Sequence, residues 1–248
     1  MAHVLNKDQS SALQVLRGSE NVFLTGAAGS GKSFLLRAFL QDRDIPILAS
    51  TGAAAILVGG RTFHSFFGLG IMEGGFEKTL ERALGNRRLI KRLKKTSTVV
   101  IDEISMISGP VLRAAEAIAR GARSSHAPWG GIRVIAVGDF AQLPPVNAFG
   151  REREWAFLDG VWEQSGFHPV VLTEIMRAAD PEFLKVLNRI RRGQVDEHVH
   201  AFLDSRLKRE ENAVLGAENS TRLFPLRADV ERHNLERLAK LKEPELMF

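Results

Sequence analysis

Residues 21–39 read NVFLTGAAGSGKSFLLRAF. An apolar run breaks into glycine and serine and then resumes with the spacing of a helix, and a lysine stands at the join. Gly26, Gly31, Lys32 and Ser33 fill every fixed position of G-x-x-x-x-G-K-[ST], with the strand before and the helix after that the pattern requires. Gly26, Ala27, Ala28, Gly29, Ser30 and Gly31 are small enough for their backbone N–H groups to wrap round phosphate oxygens. The helix beginning at Lys32 turns its positive end to the same point. Lys32 is therefore expected to hold the β and γ phosphates of a nucleotide. Ser33 is expected to offer its hydroxyl to magnesium, which takes few protein ligands and keeps several waters. A strand-to-helix turn of this kind belongs to an α/β domain with a doubly wound parallel sheet.

A phosphate cradle needs a carboxylate for the metal and a base for water. TSTVVIDEISMI supplies both, because Val99, Val100 and Ile101 suit a strand buried on both faces and Asp102 and Glu103 follow at its end. Asp102 is expected to anchor magnesium and Glu103 to take the proton of the attacking water. A third apolar strand, IRVIAVGD, runs into FAQLPPV. Functional loops of such a sheet lie at the carboxyl ends of its strands, so Asp139 and Gln142 should emerge beside Lys32 and Asp102. Gln142 is then placed to sense the γ phosphate.

The strand IPILAS leads into TGAAAI, read as a helix capped by Thr51 whose first N–H groups, from Gly52 on, suit a backbone phosphate. Arg61, Thr62 and His64 offer donors, and Phe63 an aromatic face for a base, whereas Phe66 and Phe67 read as core. In RRLIKRLKK, residues 87–95, Leu89, Ile90 and Leu93 share one helical face and basic groups occupy the rest. The net charge of +5 leans toward an anionic partner, nucleic acid ahead of membrane. No apolar run approaches the roughly 18 to 20 residues of a membrane span, and the start does not read as a secretory signal, so an intracellular setting is expected, cytoplasmic and nucleoid-associated in a bacterium. Zero cysteines exclude disulfides and thiolate metal sites.

Taken in order, LNKDQ, GAAGSGKS, TGAAAILVGGRTFHSFFG, IDEIS, GDFAQLPPV and LTEIMRAADPEFLKVLNRIRRG resemble the motifs of the petite integration frequency (PIF) family of superfamily-one, B-class DNA helicases. The likeness runs from about Leu5 to Leu241. It implies that Gln9 reads adenine, that Arg177 is an arginine finger, and that the fold is a RecA-like P-loop NTPase. It further implies ATP hydrolysis coupled to 5′ to 3′ movement on single-stranded DNA and unwinding at DNA forks, in repair, recombination, replication or telomere maintenance. Ala178 and Arg227 depart from the family pattern, which has glutamine and asparagine there. The implied layout is a first RecA-like domain at 1–67 and 98–176, a small insertion at 68–97 near the strand-separation point, and the beginning of a second RecA-like domain at 177–248. Helices are expected at 181–192, 196–208 and 228–241, a strand near TRLFPL and a loop at 124–131. Further family motifs have no counterpart before Phe248, so feeble turnover and no unwinding are expected of these 248 residues alone. Two alternatives stay open: a RecD-like exonuclease subunit, and a nucleotide-gated single-strand-binding module without motor output.

Overall fold

A computed structural model describes residues 5–145, 153–176, 180–207 and 221–240. The chain divides into two units, residues 1–188 and 189–248. Among the described residues the strands are β1 (Val22–Gly26), β2 (Ile47–Ala49), β3 (Arg61–Thr62), β4 (Thr98–Ile101), β5 (Arg133–Val137) and β6 (His168–Leu172). They form one sheet in the order β3-β2-β4-β5-β1-β6, and every neighbour pairs in parallel. The helices are α1 (Lys7–Leu16), α2 (Lys32–Leu40), α3 (Gly52–Leu57), α4 (Phe63–Phe67), α5 (Gly75–Leu84), α6 (Arg87–Lys95), α7 (Gly109–Arg123), α8 (Gly160–Gln164), α9 (Pro181–Arg191), α10 (Glu197–Leu207) and α11 (Arg227–Leu238).

Successive strand residues point to opposite faces, so an apolar run buried on both sides splits between two cores. Val99 and Ile101 of β4, with Val134 and Ala136 of β5, join the larger core, which takes in α4, α6 and α7. Val100, Ile135 and Val137 join Val22 and Leu24 in the other, where Ala12 and Leu16 of α1 meet Leu35, Leu36 and Phe39 of α2. This is the doubly wound arrangement expected of the sequence.

In α6, Leu89 and Leu93 are buried in the larger core, which also holds Ala83 of α5. Through one Nη, Arg92 donates to the carbonyls of Ser65 and Phe66, closing the end of α4. Arg87, Arg88, Lys91, Lys94 and Lys95 are exposed. The expected loop at 124–131 contains a short 3-10 turn at Pro128–Gly131 built round Trp129, which is fully buried. Its indole Nε1 donates to Ser165 Oγ at 2.8 Å and its backbone N–H to Glu116 Oε1 at 3.1 Å. In the second unit α10 and α11 match their expected helices, whereas residues 221–226, TRLFPL, form no strand. Leu223 and Leu226 there are exposed, so no strand-like burial fixes them.

Candidate active site

Because the strands are all parallel, their carboxyl ends share one sheet edge, and the loops that leave them meet there. The loop after β1 carries Gly26 to Gly31 and opens α2 at Lys32. Gly31 has φ +87, left-handed backbone that favours glycine, and a Cβ at that position would lie 2.3 Å from Gln9 Nε2, so a side chain there would displace the Gln9 amide. Lys32 Nζ donates to the carbonyls of Gly26 at 2.8 Å and Ala27 at 3.2 Å, which folds the ammonium over the loop. Ser30 Oγ is buried and has no hydrogen-bond partner. A cavity of about 390 Å³ opens beside the loop, lined by Ala28, Gly29, Gly31, Lys32 and Ser33 together with Glu103 and Gln142.

Asp102 and Glu103 leave the end of β4. Glu103 sits at φ 52, ψ 46, left-handed backbone that a residue with a side chain adopts at a cost. Its N–H donates to Asp102 Oδ1 at 3.0 Å. Burial raises the Asp102 carboxyl above its ordinary range, against the opposing pull of that N–H and of Lys32. Glu103 reaches solvent at the cavity rim, yet partial desolvation raises it too, followed by the charge of Asp102 and partly offset by Lys32. Beyond β5, buried Asp139 accepts from the Ala141 N–H at 3.1 Å and from Gln142 Nε2 at 2.9 Å. The Gln142 amide is thereby held at the mouth of the cavity.

Gln9 is buried within a capping box. Its N–H donates to Asn6 Oδ1 at 2.7 Å and its Oε1 accepts from the Asn6 N–H at 3.2 Å. Arg177 lies outside the described residues. Met176, immediately before it, is described: it lines the cavity and donates its N–H to the Gly29 carbonyl at 2.8 Å.

At the β2 and β3 ends, Thr51 caps α3 by accepting from the Ala54 N–H, and Thr62 caps α4 by accepting from the Ser65 N–H, both at 3.2 Å. Thr51 and Gly52 are exposed, and no atom lies within 4 Å of a Cβ built on Gly52. His64 is half-buried and lines a cavity of about 480 Å³ with Ser50, Thr62, Ile71, Met72 and Val111. Burial lowers its pKa below the ordinary 6.5. Phe63 corrects the sequence expectation: it is fully buried, its ring 5.0 Å from that of Phe67, so it has no face to offer a base.

Phe34, Arg37 and Met176 also line this cavity and were not singled out from the sequence. Arg37 lies one helical turn after Ser33, so the facing positions of α2 carried the signal for it.

Comparison with known proteins bears on the same residues. The model of PIF1-like helicase matches residues 4–201. The ATP-dependent DNA helicase Pif1 of Bdellovibrio bacteriovorus is 55% identical over 247 residues, covering 98% of this chain and 55% of that protein. The ATP-dependent DNA helicase PIF1 of Saccharomyces cerevisiae is 35% identical over 248 residues, covering 96% of this chain and 28% of that protein. Among solved structures, the Pif1 helicase of Candida albicans superposes with a TM-score of 0.86 at 34% identity, covering 98% of this chain and 56% of that one. The Bacteroides Pif1 helicase in complex with ADP-AlF3 and single-stranded DNA gives 0.81 at 31% identity, covering 98% and 58%. The chain thus spans little more than half the length of these proteins, or less. With its doubly wound parallel sheet, its phosphate loop and this extent of likeness, the chain belongs to the PIF1-like helicase family.

Proposed function

We propose that the chain is the nucleotide-hydrolysing motor core of an ATP-dependent DNA helicase that moves 5′ to 3′ on single-stranded DNA and opens forked duplexes. The observation that carries this reading is a cavity at the sheet edge on which Lys32 and Ser33 at the start of α2, Glu103 after β4 and Gln142 after β5 converge. In this reading the loop 26–31 cradles the phosphates, Gln9 reads adenine from beside Gly31, and residues 177–248 begin a second RecA-like domain. Lys32 exchanges its two carbonyl partners for phosphate oxygens, a stronger charge-assisted pairing.

The donor set fits magnesium. Ser33 supplies a hydroxyl and Asp102 one carboxylate. That small set suits magnesium, which takes few protein ligands and keeps several waters. Bound there, magnesium supplies charge that offsets the phosphates. Glu103 accepts a proton from water as the water oxygen bonds to the γ phosphorus. The bond from that phosphorus to the β–γ bridging oxygen breaks, and its electrons leave with ADP. Gln142, steadied by Asp139, donates to the γ phosphate or orients the water, and Arg177 meets charge that develops in the transition state. Thr51, Gly52, Thr62 and His64 take the DNA backbone, and the exposed basic residues of α6 add attraction that salt weakens.

ATP turnover measured with and without single-stranded DNA tests the proposal. Stimulation by DNA is expected. Nucleotide binding with no turnover in either condition favours a nucleotide-gated binding module instead.

A further inference from the structure

Residues 173–176 form a short arm that starts where β6 leaves β1, at the register pair Gly26 and Leu172, and ends next to Arg177. Three separate ties hold it. The Asp8 carboxylate accepts from both the hydroxyl and the N–H of Thr173, the latter at 3.3 Å. Asn6 Nδ2 donates to Glu174 Oε2 at 2.8 Å. The Met176 N–H donates to the Gly29 carbonyl at 2.8 Å. Two of the three come from the first turn of α1 and its cap, and the same turn holds Gln9 against Gly31. The N-terminus of α1 is therefore wedged between the phosphate loop on one side and the arm on the other.

From this geometry we infer that Asp8, Asn6, Thr173 and Glu174 are positioning residues that set where the chain delivers Arg177. The inference rests on the finger role proposed for Arg177. The Met176 bond to Gly29 fixes the last described residue of the arm at the phosphate loop, and Arg177 is the next residue in the chain. Met176 is the arm residue that lines the cavity, and Asn6 Nδ2 also lies 3.7 Å from its Sδ; the ties of Asp8 and Asn6 act through the backbone they hold. A finger misplaced by an ångström loses much of its effect on the transition state while leaving ground-state binding intact.

The test compares binding of ADP with binding of ADP plus aluminium fluoride, which mimics the phosphoryl group in transit, by fluorescence titration of the labelled nucleotide with magnesium present. Thr173→Val should weaken the aluminium fluoride complex by about 10- to 100-fold and leave ADP affinity within about twofold. Thr173→Ser, which restores the hydroxyl, should recover it, and kcat for ATP should fall without a matching rise in KM. Equal losses for both ligands, or no rescue by serine, would mean that the network merely supports the phosphate loop and would overturn the inference. Arg177→Ala separates the two readings. If it removes the preference and Thr173→Val does not, the finger stands and the positioning role falls. If Arg177→Ala leaves the preference unchanged, the finger reading fails and takes this inference with it. Should Thr173→Val fail to fold, as judged by circular dichroism, Asp8→Ala removes the same tie from the other side and is read by the same criteria.

Discussion

Glu103 combines a proposed catalytic role with left-handed backbone, and the two can be separated by substitution. Glu103→Ala and Glu103→Gly both remove the carboxylate, so the desolvation and charge repulsion that raise its pKa drop out of the comparison. What remains is the backbone at φ 52, ψ 46. A Cβ in that conformation costs about 1–2 kcal/mol, and the greater freedom of glycine in the unfolded chain takes back about 0.5–1 kcal/mol. The glycine variant should therefore be the more stable of the two by about 0.5–1 kcal/mol, which is roughly 1–4 °C in melting temperature for a domain of this size. In a helix the order would be reversed. Thermal unfolding followed by circular dichroism is the assay, with nucleotide titration as a check that both variants keep the cradle. Both should bind ATP and neither should hydrolyse it. An alanine variant as stable as the glycine one, or more so, would refute the claim that the fold strains this residue.

Lys32→Ala should weaken nucleotide binding by at least about tenfold, because alanine cannot replace a charge-assisted contact to phosphate; calorimetric titration reads it, and unchanged affinity removes Lys32 from the cradle. Turnover should fall on the acid side with a midpoint above 4.5, because Glu103 must be ionised to accept a proton and its pKa is raised. The folded chain holds that proton more tightly than the unfolded chain, so the group's contribution to stability is full below 4.5 and is lost as pH rises through the folded value. Glu103→Gln should accordingly stabilise the protein at pH 7 and not at pH 4, as melting at the two values would show. Trp129→Ala should cost about 3–5 kcal/mol in denaturant unfolding, since it empties a fully buried ring site and removes the indole donor to Ser165; a loss below about 1 kcal/mol would show that residues 128–131 are not part of the core.

The phosphate loop was legible because its chemistry fixes its residue types. The same holds for β4, whose continuous apolar run can be satisfied only with cover on both faces, and for the Thr51 cap. The edge strand β6 was not. His168–Leu172 contains Pro169 and is mostly exposed, so it carries neither alternation nor a buried run. It is a strand because β1 offers it a pairing edge, and proline is tolerated there at the sheet's border. Phe63 was misread although helical spacing pointed the right way: with Phe66 and Phe67 it makes an i, i+3, i+4 stripe, the pattern of a buried face. Trp129 was hidden by its setting, since glycines and a proline around it read as a loop whatever the tryptophan does. The ties of Asp8 and Asn6 to Thr173 and Glu174 join residues more than 160 positions apart, and no local pattern announces them.

In the proposed function, the nucleotide site and the residues proposed to take DNA lie along the same sheet edge, so each ligand should alter the affinity for the other. The most direct test is the affinity of a labelled oligothymidylate for the protein without nucleotide, with a non-hydrolysable ATP analogue and with ADP, at fixed salt. We expect the affinity to differ between the ATP-like and ADP states by at least about fivefold, and nucleotide affinity to change by the same factor when DNA is present. The same DNA affinity in all three states would contradict a motor.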